Sequence, residues 1–254
     1  GAVCWGDPGG CYRLAGDVDL AGLTWPVAPI PDFTGVFEGG NFTVSNLKVR
    51  GCRSLGLFGV LGKTALVKGV RLDNVDVVGR DYAGGLGGLA GSNLGSIVNC
   101  HVTGRVEAGH HSEDLGGLVG SSSGTITASS ARVHVSATDA GAYLGGLVGI
   151  KWGTVRACYA TGDISAGDNS RSIGGLAGNS QEGMIIDGYA TGSVGSGRGA
   201  RDVGGFIGDV IAGEVACCYS TSVVVAGEGS RNIGGLAGDD YMAEGAIVSC
   251  YFLK

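Results

Sequence analysis

An all-β fold, a parallel β-helix or β-solenoid of about 29–30-residue coils with an N-terminal cap, is what this sequence predicts, on three observations. The first is a period. The string Gly-Gly-Leu/Phe-x-Gly begins at Gly87, Gly116, Gly145, Gly174, Gly204 and Gly234, with spacings of 29, 29, 29, 30 and 30. Self-similarity at such a period marks a repeat architecture. The second is uniformity within the aligned copies. Leu89, Leu118, Leu147, Leu176, Phe206 and Leu236 share one column, and Leu86, Leu115, Leu144, Ile173, Val203 and Ile233 share another. Ile97, Ile126, Val155, Ile185, Val215 and Ile247 form a third, and Val106, Val135, Ile164, Val194 and Val224 a fourth. A unit of this kind cannot bury its apolar side alone, but neighbours can cover one another. The third is composition: 53 Gly and 4 Pro, with 44% hydrophobic residues, fit neither collagen nor disorder and suit a narrow, regular structure.

Within a repeat, strand is favoured over helix. Cys158-Tyr-Ala-Thr-Gly-Asp-Ile-Ser alternates small or apolar with polar residues, and glycine recurs too often for a helix. Stacked coils then pair as parallel strands about 4.8 Å apart. The Gly pair either supplies positive φ at a corner or leaves room for backbone to approach backbone. Although GGLGGLAG looks superficially like a dinucleotide-binding loop, no helix follows and the string simply recurs.

Residues 1–50 read as the cap and 51–254 as one continuous array. The segment 12–50 holds three of the four Pro and three of the six Phe, bulk that a terminal repeat needs. Residues 245–254 instead read as a bare ladder strand, an edge that invites another strand and suggests end-to-end stacking into a homopolymer. A start at Gly1 rather than Met, with no leader-like segment behind it, is expected of a mature chain or an excised region. A net charge of −6 argues against a nucleic-acid partner, and no apolar run is long enough to span a bilayer. No cofactor motif is present.

The units GGLAGSNLGSIVNCHVTG, GGLVGIKWGTVRACYATG and GGLAGNSQEGMIIDGYATG resemble GLUG repeats, and YRLAGDVDLAG with FTGVFEGGNFTVSNLKV is similar to the segment that precedes such arrays. GLUG repeats occur in large bacterial surface proteins, including filamentous adhesins and non-catalytic regions of IgA-cleaving metallopeptidases. The resemblance implies a secreted or cell-surface setting and a passive scaffold. It does not carry proteolysis, since His-Glu-x-x-His is absent.

Candidate site residues fall in three columns. One runs His101, Ser130, Tyr159, Tyr189, Tyr219 and Tyr251, with Thr103, Arg132, Thr161, Thr191 and Thr221 two residues on. Facing outward, it can be a stabilising stack, a platform for sugar rings, or an ice-binding array that the tyrosines and Arg132 spoil. A second, Glu113, Ala142, Arg171, Arg201 and Arg231, is expected in a polar turn. Its arginines suit the carboxylates or sulfates of an acidic glycan, unless Asp168, Asp202 and Glu228 neutralise a merely solvated stripe. The third, Cys100, Ser129, Cys158, Gly188, Cys218 and Cys250, is expected inside. Cys218 and Cys250 occupy consecutive rungs, within disulfide range, whereas cysteines two rungs apart stand about 9.6 Å from each other, too far to bridge. Cys4 and Cys11 bracket a Gly/Pro-rich loop and form a second disulfide candidate.

Other clusters are weaker. His110, His111, Glu113 and Asp114 lie in one turn, a poor geometry for a shared metal ion. Arg105, His134 and Asp163 can mimic a lyase groove, but any surface ladder produces such neighbours. Asn41-Phe-Thr43 is a glycosylation sequon, informative only in a eukaryotic source. The expected function is therefore a non-catalytic extracellular repeat module of adhesin type that holds a glycan or a host or cell-surface protein on its ladders. A self-assembling filament subunit is the alternative, with a polysaccharide-acting enzyme behind it.

Overall fold

In the computed structural model, residues 7–40, 42–241 and 247–253 are described. The coil formed by residues 96–124 serves as the template. Ser96–Val98 forms the first face, a sharp corner follows at Asn99, and His101–Ala108 runs along a second, broad face. Glu113–Gly116 completes that broad face, and Val119–Ser122 forms the third before the chain climbs to Thr125–Thr127. The first face is a nine-stranded sheet and the third an eight-stranded one.

All the strands pair in parallel, and the register follows the sequence period. Ile97 pairs with Ile126, Ile126 with Val155, Val155 with Ile185 and Ile185 with Val215. On the broad face Val106 pairs with Val135, Val135 with Ile164 and Ile164 with Val194. The leucine column is a continuous line: Leu89, Leu118, Leu147 and Leu176 each donate a backbone N–H to the same position of the next coil, at 2.7–2.9 Å. All four are fully buried. Each such side chain removed from water contributes about 1.5–3 kcal/mol, and that gain exists only when the neighbouring rung is in place.

The segment expected to cap the array joins it by the same ladders. Cys11–Arg13 pairs with Val36–Glu38, which pairs with Leu66–Lys68. Ile30–Phe33 likewise pairs with Phe58–Leu61. What distinguishes this end is the filling. Phe33, Phe37 and Phe58 meet at 5.4–6.3 Å between ring centres, and Tyr12 packs on Phe33 at 6.1 Å. Rings take up the interior here where leucines do further along.

Of the two readings of the Gly pair, close backbone approach is the correct one. Gly116 and Gly117 do not have positive φ, but a methyl group on Gly117 would collide with the Gly146 carbonyl and one on Gly116 with the Val119 carbonyl. The positive-φ corners lie elsewhere and are mostly not glycine: Asn99, Ala128, Ala157, Asp187, Cys217 and Ser249 occupy one of them, with φ between 49° and 56°.

Candidate functional site

On the outer surface of the broad face, the alternation that buries Ala160 and Ala190 turns Tyr159, Tyr189 and Tyr219 outward on successive rungs. The rings stand side by side. Tyr159 and Tyr189 are 4.7 Å apart at 1°, and Tyr189 and Tyr219 are 5.1 Å apart at 10°. The separation equals the strand spacing, so the backbone lattice sets the stack. Because each ring covers its neighbour's face, the row presents edges and phenol oxygens rather than a flat platform. Burial, followed by the two flanking phenols, raises the pKa of Tyr189. Thr161, Thr191 and Thr221 lie beside the stack, and their amides continue the ladder at 2.9–3.1 Å.

Below Tyr159 the column changes character. Ser130 follows, then His101. His101 Nδ1 lies 2.8 Å from Ser130 Oγ and Nε2 lies 3.2 Å from Asn99 Oδ1. The amide oxygen can only accept, so Nε2 carries the proton and the serine hydroxyl donates to Nδ1. Burial and the nearby Arg71 charge lower the His101 pKa. In front of this step lies a cavity of about 430 Å³, lined by Thr43, Arg71, Asp73, His101, Thr103 and Tyr159 among others.

Arg171, Arg201 and Arg231 stack on consecutive rungs, as the period requires. They open strands rather than sitting in a turn, since Arg171–Gly174, Arg201–Gly204 and Arg231–Gly234 are β-strands, each with a left-handed residue (Ser172, Asp202 or Asn232) directly after the arginine. Among the described residues no ion pair joins these arginines to Asp168, Asp202 or Glu228. Asp168 accepts the Arg198 amide at 2.7 Å and Asp202 accepts the Asn232 side-chain amide at 2.8 Å, while none of the three arginines makes an ion pair among the described residues. Arg171 instead lies 5.3 Å from the centre of the Tyr143 ring.

The Cys218–Cys250 disulfide expectation is corrected, since both are free thiols. Their sulfurs serve the corner. Cys218 Sγ donates to the Ala216 carbonyl at 3.1 Å, and Cys250 Sγ donates to the Val248 carbonyl at 3.3 Å while accepting the Cys218 amide at 3.4 Å. Ser129 does the same work with oxygen, donating to Thr127 at 2.8 Å and accepting the Cys100 amide at 3.0 Å. Cys11 is an exposed free thiol; Cys4 and the sequon residue Asn41 lie outside the described residues.

The remaining clusters disperse. His111 stacks on Tyr82 at 5.1 Å, and burial together with the charge of Glu113 pushes Asp114 up to about 7. Among the described residues no group of three His, Cys, Asp or Glu is arranged to hold a metal ion. Arg105 is next to His134 in register but is bound to Asp76 at 2.8 Å, and Asp163 accepts the Ser193 hydroxyl at 2.6 Å. Sequence reasoning missed Lys151, which is fully buried and held by the Gly153 and Glu182 carbonyls, with burial pushing its pKa down to about 8. Nothing in the repeat flagged it, because Ser122 and Ser180 occupy its column.

Coils joined by parallel ladders around an aliphatic interior define the class, a parallel β-solenoid repeat protein. Residues 82–107 match the family described as the GLUG motif, and the same columns recur in the coils that follow. It is 38% identical over 102 residues to Halomucin of Haloquadratum walsbyi, a stretch covering 37% of this chain and 1% of Halomucin. This chain therefore corresponds to a very small part of that relative. A crystal structure from Bacteroides ovatus, provisionally assigned as an immunoglobulin A1 protease, superposes with a TM-score of 0.71 at 21% identity, covering 96% of this chain and 77% of the other. A second structure, called IgA1 Protease, gives 0.69 at 23%, covering 98% of this chain and 20% of the other. At these identities the likeness to the two structures is one of fold.

Proposed function

We propose that this chain is a non-catalytic, surface-exposed repeat module that holds a glycan or a protein partner on its outer ladders. The observation that carries this reading is the outward stack of Tyr159, Tyr189 and Tyr219, three rings in register at 4.7 and 5.1 Å. A row of phenol edges on three successive rungs offers the same contact three times, and repeated weak contacts add up to avidity. The resemblance to GLUG-bearing surface proteins supports the setting.

The test replaces Tyr159, Tyr189 and Tyr219 together with Ala and compares binding to immobilised mucin-type and plant polysaccharides. Stacked bases and rings lose about 1–3 kcal/mol per ring on truncation, so the triple variant is expected to lose tenfold or more in apparent affinity, roughly 1.4 kcal/mol per factor of ten. Unchanged binding by a folded triple variant removes the reading.

A further inference from the structure

We propose that the cavity below the tyrosine stack is a subsite for one acidic pyranose residue, which packs against Tyr159 and places its carboxylate on Arg71. This deepens the reading that the outer ladders hold glycans and rests on it. The site exists because one column changes residue type. Tyrosine occupies three successive rungs, but the next rung down carries Ser130 and the one beyond it His101. Tyr189 covers one face of Tyr159, while the opposite side of that ring lines the cavity of about 430 Å³. A concave space closed at one end by an aromatic ring suits the apolar face of a pyranose.

The polar wall selects the rest of the ligand. Arg71 lines the cavity, is exposed, and makes no ion pair among the described residues. A guanidinium without an ion pair, on the wall of the same cavity as a stacking ring, is a bidentate seat for a carboxylate. Asp73 accepts the Thr103 hydroxyl on one oxygen and offers its second to a sugar hydroxyl. Thr43 adds a further hydroxyl on the same wall. Both His101 nitrogens are engaged by Ser130 and Asn99, and burial with the nearby Arg71 charge disfavours the imidazolium, so Arg71 is the main cation of this wall. One cation, one accepting carboxylate and one ring face match a hexuronate better than a neutral hexose.

Calorimetric titration of the full chain with a galacturonate hexasaccharide, and with its methyl-esterified neutral counterpart, tests the assignment. Hydrogen bonds to charged groups are worth about 1.5–3 kcal/mol, so Arg71→Gln is expected to weaken the acidic hexasaccharide at least tenfold and leave the ester unchanged. Tyr159→Ala is expected to weaken both, and Arg80→Gln, which removes an exposed charge elsewhere on the broad face, neither. If Tyr159→Ala fails to fold, the Arg71→Gln contrast still decides. Equal loss in Arg80→Gln and Arg71→Gln, or an Arg71→Gln variant that binds the acidic sugar as tightly as the parent, overturns the subsite while leaving the ladder reading standing. Absence of saturable binding of the acidic hexasaccharide to the parent chain also overturns it. The ladder reading itself is judged separately, by the triple tyrosine variant on immobilised polysaccharide.

Discussion

Cys158 shows how little a residue's chemistry says about its duty in this fold. Its sulfur donates to the Arg156 carbonyl at 3.1 Å and accepts the Ser129 amide at 3.4 Å, satisfying two backbone groups that the adjoining corner strands inside the coil. The corner residue, Ala157, sits at a φ of 52°, a region an L residue occupies at a cost of about 1–2 kcal/mol. The capping atom offsets that strain. Ser129 performs the same task one rung below, so oxygen and sulfur are interchangeable here. Cys158→Ser is expected to change stability by less than about 1 kcal/mol, whereas Cys158→Ala leaves two buried groups unpaired and costs roughly 1–3 kcal/mol. Urea unfolding of the two variants checks the contrast. The sequence placed this column inside correctly. It did not reveal the corner, because Ala, Cys and Ser, which hold four of its six positions (Ala128, Ala157, Cys217 and Ser249), carry no mark of a left-handed φ while most of the glycines serve another purpose.

At the level of a single rung that other purpose is spacing. Gly116 and Gly117 precede Leu118, whose side chain is fully buried and whose amide donates to Leu147 at 2.9 Å. Two consecutive residues without Cβ let the broad face and the third face meet backbone to backbone, which no bulkier residue permits. Gly117→Ala therefore forces the rungs apart at the Gly146 carbonyl. The expected cost is about 3 kcal/mol or more, read as a fall in melting temperature. Gly195, whose added methyl meets nothing closer than 3.6 Å, is the control, and Gly195→Ala is expected to melt near the parent temperature. The repeat made the Gly pair visible. Whether it turned the chain or let it pack closely depended on φ and on the carbonyl opposite, and neither is written in a one-dimensional pattern.

Across the whole molecule, buried titratable groups give stability a pH profile with a defined sign. Burial pushes Asp114 to about 7 and Asp209 to about 6, and it pushes Cys100 and Cys158 to about 11 and Cys218 to about 12. In each case the folded value exceeds the unfolded one, so the stability these groups contribute is present at low pH and lost as pH rises through the folded value. The two carboxyls act between about pH 4 and 7, and the three thiols above about pH 9. Lys151, lowered to about 8, opposes the thiols between pH 8 and about 10.5, but it is one group against three. Below about pH 4, Asp76 and Asp163, which Arg105, Arg50 and Ser193 hold below the ordinary carboxylate value, lose their contribution as they protonate. Melting temperature is therefore expected to peak near pH 4–5, decline towards neutrality and fall again above about pH 9. A scan in matched ionic strength that peaks instead at about pH 8 contradicts this balance.

The sequence by itself determined the coil length, the parallel register and the identity of the interior columns, because a solenoid repeats one local problem and the same answer recurs every 29 or 30 residues. It also put Tyr159, Tyr189 and Tyr219 on the outer surface. What only the tertiary structure decided is how neighbouring side chains divide the space between rungs. The tyrosines stack on one another's faces, Arg171 turns to Tyr143, the cysteines cap corners instead of bridging, and Ser130 leaves Tyr159 at the edge of a cavity. Those outcomes depend on distances of a few ångströms between residues 29 or more positions apart, and a column of letters records which residues are neighbours but not which of their atoms meet.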